Sequence, residues 1–259
     1  MTPPAPTGAP PLLVVDGLVK AFGGVRAVDG VSFVLRAGES AALIGPNGAG
    51  KSTLFSLIAC QRRPDAGTVR MEGRLLTGRP AHALAGYGIG RTFQIARAFS
   101  SLGVFEAART AARVGLPRAE ADRRAGDLIA RLGLTGLADA TVATLSYGDI
   151  KRLELAIALA GRCRLLLMDE PAAGMAPAER RALMDLVGAL AAEEGVTVLF
   201  TEHDMDVVFG HARRVMVLHH GRLIADGSPE RIRADSRVRS VYLGESAGTG
   251  NPLDPDQPT

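Results

Sequence analysis

Apolar and polar residues alternate along LLVVDGLVKAF (residues 12–22) and again along VSFVLRAGES (31–40). That period of two predicts half-buried strands, and the glycine breaks between them suggest an antiparallel start to the fold. SAALIG (40–45) is a short unbroken apolar run. It passes through a glycine-rich loop into KSTLFSLIAC (51–60), where the apolar positions recur at helical spacing. From about residue 104 to 140 the pattern changes. EAARTAARVGL and AEADRRAGDLIARLGL are rich in Ala, Leu, Arg and Glu, the residues that favour helix. Strand character returns in RLLLMDE (164–170) and VTVLFTEHD (196–204), with the helical AERRALMDLVGALAAEE between them. Short, wholly apolar strands separated by a helix predict a parallel sheet buried on both faces. RVMVLHHGRLIADG (214–227) reads as a hairpin, followed by a short helix ending near Tyr242.

The expected class is therefore α/β, with a mainly parallel core, an N-terminal antiparallel β subdomain and an inserted helical subdomain at about 95–163. Residues 12–245 read as a single domain. Residues 1–11 and 246–259 are rich in Pro, Gly and polar residues and read as disordered tails. Composition narrows the setting. Two cysteines, Cys60 and Cys163, make neither a disulfide framework nor a spaced metal set. The opening MTPPAPTGAPP lacks the charged-then-apolar order of a signal peptide. No apolar run approaches the ~18 residues of a membrane span. A net charge of +3 is too small to imply a nucleic-acid partner by itself. The expectation is a cytoplasmic protein whose membrane role, if it has one, comes through a partner.

The strongest chemical signal is GPNGAGKST, Gly45 to Thr53, which fits G-x-x-x-x-G-K-[ST] between an apolar strand and a helix. Gly45, Gly48 and Gly50, with Pro46, Asn47 and Ala49, form a loop whose backbone N–H groups can turn toward phosphate oxygens. The helix behind it adds unpaired amides and a partial positive charge. Lys51 can reach the β- and γ-phosphates, and the Ser52 hydroxyl can ligate Mg²⁺. Only Lys20, Lys51 and Lys151 are lysines in this Arg-rich chain, so a compact ammonium at this position stands out. A partner acid is expected at the end of another apolar strand. RLLLMDE supplies Asp169 for Mg²⁺ and Glu170 to polarise an attacking water. His203, at the end of the next strand, is placed to hydrogen-bond the γ-phosphate.

LSYGD (145–149) opens a second helix with a Ser and a Gly, a further grip for phosphate in a chain that already has one. Together, GPNGAGKST, LLLMDE and LSYGD resemble the Walker A, Walker B and signature motifs of the ATP-binding subunits of ABC transporters. The resemblance covers about residues 12 to 244. It implies two subunits meeting head to tail, with Ser146 and Gly148 of one capping the ATP held by the phosphate loop of the other. It also implies that Gln94, in GIGRTFQ, resembles the Q-loop glutamine contacting Mg²⁺ and water, and that Phe22 stacks on adenine where Tyr is common. Two positions depart from the pattern. Asp149 stands where Gln is usual and is expected to face away from phosphate. Ala176 stands where the loop after the Walker B acid ends in Asp, so no contact of that Asp is carried over.

RTFQ, LSYG, DEPAAGM, TEHDM and VYLGE look most like the ATPases of branched-chain amino-acid (Liv-type) importers, although FEAARTAARVGLPRAEADRR is compact where those commonly carry an insertion. The resemblance implies ATP and Mg²⁺ as ligands, membrane permeases as partners, and a sister ATPase or a second copy completing the pair. A periplasmic or extracellular solute-binding protein would be linked indirectly, and no nucleic acid is expected. The chain would then lie peripherally on the inner face of the cell membrane. Urea- or amide-type importers and soluble, non-transport ABC ATPases are the alternative readings.

Overall fold

The computed structural model describes residues 11–92 and 100–245. Strands β1 (Pro11–Phe22) and β2 (Val25–Arg36) form the expected antiparallel pair, joined through Gly23 and Gly24. Pro11 opens β1, an end position where its missing N–H breaks no ladder bond. β4 (Ala66–Met71) pairs antiparallel with β1, and the two-residue β5 (Arg74–Leu75) with β4, giving a four-stranded sheet ordered β2-β1-β4-β5.

The second sheet has six strands in the order β10-β9-β3-β8-β7-β6. β3 (Ser40–Ile44), β6 (Ile89–Arg91), β7 (Leu165–Asp169), β8 (Thr197–Thr201) and β9 (Arg214–His219) run parallel. β10 (Arg222–Gly227) returns antiparallel from β9, the predicted hairpin. Successive residues of the central strands enter opposite cores. Ala42, Ile44, Leu166, Met168, Val198 and Phe200 join one cluster, and Ala41, Leu43, Leu165, Leu167 and Leu199 join the other. Both faces are thus covered, and this is why the strands read as continuous apolar runs instead of alternating ones.

One core packs under α1 (Lys51–Ile58) and the antiparallel sheet. The other holds α2 (Val104–Ala112), α3 (Arg118–Arg131), α4 (Tyr147–Leu159), α5 (Pro177–Glu194) and α6 (Met205–His211). α7 (Pro229–Ala234) and α8 (Ser236–Glu245) close the described chain. α2 and α3 bury mostly Ala at their contacts, namely Ala107, Ala108, Ala112, Ala121 and Ala125, so their axes can approach closely.

Candidate nucleotide site

The loop after β3 is fixed by two close backbone approaches. A Cβ at Gly45 would lie 2.1 Å from the Leu218 carbonyl oxygen of β9, and one at Gly50 would lie 2.0 Å from the Ala27 oxygen of β2. Gly50 also has φ +105°, so any side chain there is both blocked and strained. Ala49 N donates to Pro46 O at 3.1 Å, and Gly221 N donates to Ala49 O at 2.9 Å, riveting the loop to the β9–β10 turn. Lys51 is buried, 7% exposed, and its Nζ folds back to donate to Gly45 O at 2.6 Å and Pro46 O at 3.0 Å. A cationic charge therefore sits inside the ring of the loop. The amides of Lys51, Ser52 and Thr53 begin α1, where no intrahelical acceptor exists. No acidic residue occupies that first turn. The positive end of the helix is left for an external anion.

Sheet register brings the acids level with this loop. Thr201 on β8 pairs with Leu43 of β3 on one side and with Asp169 of β7 on the other. The start of the loop and Asp169 are thus two strand spacings apart, roughly 10 Å. Thr201 is fully buried and serves both acids: its hydroxyl donates to Asp169 Oδ1 at 2.7 Å and accepts from Glu170 N at 3.0 Å. Arg91, at the end of β6, puts Nη2 4.0 Å from Asp169 Oδ2. Burial holds this guanidinium below its ordinary pKa, against the pull of the carboxylate.

Glu170 turns sharply after β7, with φ +49°, a conformation uncommon for a residue with a side chain and suggestive of a site built for a purpose. Its Oε1 lies 2.6 Å from His203 Nε2. Facing a carboxylate, which can only accept, that nitrogen carries the proton. Both side chains reach solvent. Between them Glu202 is buried, 4% exposed, and accepts from Ala172 N at 3.0 Å and His203 N at 3.3 Å. Burial raises its pKa, and the two amides oppose that rise. Glu202 thereby fixes the turn after Glu170 to the turn that carries His203. Sequence reading singled out neither Thr201 nor Glu202. The available signal was the polar run TEHD after an apolar strand, level with MDE.

The remaining predicted residues lie elsewhere or outside the description. Phe22 ends β1, 42% exposed, with Lys20 Nζ 5.6 Å and the Arg62 guanidinium 5.2 Å from its ring centroid. Gln94 lies outside the described residues. Ser146 is the N-cap of α4, and Gly148 lies in its first turn. α4 packs on α2, α3, α5 and β6, away from the phosphate loop's own helix. Asp149 closes on the N-cap: its Oδ2 accepts from Ser146 Oγ at 2.6 Å while its amide donates to the same hydroxyl at 3.3 Å. The reason is local: an acid three residues after a Ser N-cap closes back on it.

Among the described residues no three His, Cys, Asp or Glu gather as a metal cage. A nucleotide-bound Mg²⁺ needs none, because water and phosphate oxygens fill most of its shell. The exposed Ser52 hydroxyl and the Asp169 carboxylate are oxygen donors of the kind it takes.

The chain is similar in sequence and fold to known proteins. Residues 28–173 match the family model described as ABC transporter, and residues 222–248 the one described as branched-chain amino acid ATP-binding cassette transporter. The high-affinity branched-chain amino acid transport ATP-binding protein LivG of Salmonella typhimurium is 38% identical over 252 residues, spanning 91% of this chain and 99% of that protein. BraF of Pseudomonas aeruginosa, of the same description, is 37% identical with the same coverage. Among solved structures, the ADP conformation of MJ1267, an ATP-binding cassette of an ABC transporter, superimposes with a TM-score of 0.82 at 30% identity. That match covers 90% of this chain and 99% of that one. With a family model matching more than half of its length, relatives alike from end to end and the whole fold shared, the chain belongs to the ABC transporter family, as an ATP-binding, ATP-hydrolysing subunit.

Proposed function

We propose that the chain powers import of branched-chain or related hydrophobic amino acids through separate membrane permeases. The observation that carries this is the match of residues 222–248 to the branched-chain family, beyond the general cassette. Full-length likeness to LivG and BraF supports it. Residues 12–245 act as one ATPase domain held by the permeases at the inner face of the membrane. A solute-binding protein delivers the substrate to those permeases.

In the site, residues 45–53 bind the phosphates, Lys51 neutralises the β- and γ-oxygens, and Phe22 stacks on adenine. Ser52 and Asp169, with Gln94, hold Mg²⁺, which supplies charge neutralisation at the phosphates when bound. Glu170 orients and polarises the attacking water. His203 holds the Glu170 carboxylate at 2.6 Å and faces the γ-phosphate. Ser146 and Gly148 grip the ATP of a second subunit, a sister ATPase or another copy, so that nucleotide becomes part of the interface and hydrolysis opens it.

The test is a mild-detergent pull-down of the tagged chain from its native cells, with partners identified by mass spectrometry. Two multi-span permeases and a second ATPase are expected. Uptake of labelled leucine should be lost when the chain is deleted. Recovery of soluble partners alone, with leucine uptake intact, overturns the importer reading.

A further inference from the structure

Tyr147, in the first turn of α4, is half-exposed yet fully engaged. Its hydroxyl donates to Ala173 O at 2.7 Å, and a Cβ at Gly174 would lie 3.6 Å from the phenol oxygen. Ala173 stands three residues beyond Glu170, and its own amide donates back to Glu170 O at 3.2 Å. One phenol therefore spans from the helix that presents Ser146 to the turn that sets Glu170. The ring is steadied from behind. Lys151 Nζ lies 5.4 Å from its centroid and 3.1 Å from Oε2 of Glu154, a buried carboxylate of the same helix. The other anchor of that turn, Glu202, holds Ala172 to the turn after β8 that carries His203. The segment from Ala172 to Gly174 is thus fastened to the sheet at one residue and to α4 at the next.

An exposed hydrogen bond contributes little to folding, because water replaces it readily. Its value here lies in position. We propose that Tyr147 is a positioning residue: through Ala173 it couples the placement of α4, and so of Ser146 and Gly148 on the partner's nucleotide, to the orientation of Glu170 in the chain's own site. The inference rests on the reading of Glu170 as the residue that orients water. Anion capture at the N-terminus of α4 draws Tyr147 with it, and the turn bearing Glu170 follows.

Tyr147→Phe keeps the ring and the Lys151 contact and removes only the hydroxyl. Steady-state ATPase of this variant, the unaltered chain and Glu170→Gln should be measured together, with nucleotide affinity and thermal midpoint. Hydrolysis by the unaltered chain should depend on Glu170. Tyr147→Phe should then lower kcat about five- to tenfold, the scale of one hydrogen bond, with KM, nucleotide affinity and thermal midpoint unchanged. An unchanged kcat beside Glu170-dependent wild-type hydrolysis overturns the coupling alone, and so does a loss shared equally with affinity and thermal midpoint, which marks a merely structural role. Hydrolysis insensitive to Glu170→Gln overturns the underlying reading and the coupling with it.

Discussion

At the residue scale, Ala176 shows how a departure in sequence becomes a local defect. It is the N-cap of α5, followed by Pro177 at the first helical position, and a methyl group cannot accept from the first-turn amides. Half of a capping box survives, since Ala176 N donates to Glu179 Oε2 at 3.3 Å. Ala176→Asp should restore the other half and stabilise the protein by about 1 kcal/mol, raising its thermal midpoint by roughly 2–4 °C. A flat or lowered midpoint would show that the first-turn amides are already satisfied. At the start of α4 the N-cap does carry an oxygen: Ser146 Oγ accepts from Asp149 N at 3.3 Å, the kind of bond that Ala176 cannot make.

At the element scale, the helices inserted between β6 and β7 are joined to the core by a charged clasp. Arg124 of α3 forms a bidentate pair with Glu194 at the end of α5, at 2.8 and 2.5 Å, and also donates to Leu159 O of α4 at 2.9 Å. Arg131 adds bonds to Glu194 at 2.7 Å and to Glu193 at 2.6 Å. Burial pushes the Glu194 carboxyl up, but the two arginines outweigh it and hold the group below its ordinary 4.5. An acid with a lowered folded-state pKa contributes stability above its unfolded value, and that contribution is lost as pH falls through the folded value. Glu194→Gln should therefore cost about 1–3 kcal/mol at neutral pH, the range for a charge-assisted hydrogen bond in partial burial. The gap between variant and unaltered chain should close in acid, below the lowered pKa. Urea unfolding at neutral and acid pH measures both, and a gap that widens in acid would contradict the clasp.

At the scale of the whole molecule, the proposed function gives the chain two anion grips on different elements: the phosphate loop after β3 and Ser146 at the start of α4. A single copy has no use for both on one nucleotide. With Mg²⁺–ATP, Glu170→Gln should bind but not hydrolyse, and should elute as a dimer, either alone or mixed with the sister ATPase recovered beside it. Ser146→Ala in that background should weaken the dimer. A monomer under both conditions would separate ATP binding from dimer closure.

The sequence by itself determined the parallel core, because strands covered on both faces must be apolar throughout. It determined the phosphate loop as well, whose glycines and lysine are demanded by the space around phosphate. It placed Asp169 and Glu170, since two acids closing a short, wholly apolar run in a β-sheet context mark where a buried strand reaches the surface. It left β4, β5, β6, α6 and α7 without a signal, because they are short and, unlike the largely apolar β3, β7 and β8, mix polar residues with apolar ones over too few positions to establish a period. Tertiary structure alone decided the rest. Thr201 meets both acids only because β8 lies between β3 and β7 in register. Tyr147 reaches Ala173, 26 residues away, through a contact that no local pattern encodes. Those pairings depend on strand order and helix placement, which are set by the packing of two cores and not by the spacing of residues along the chain.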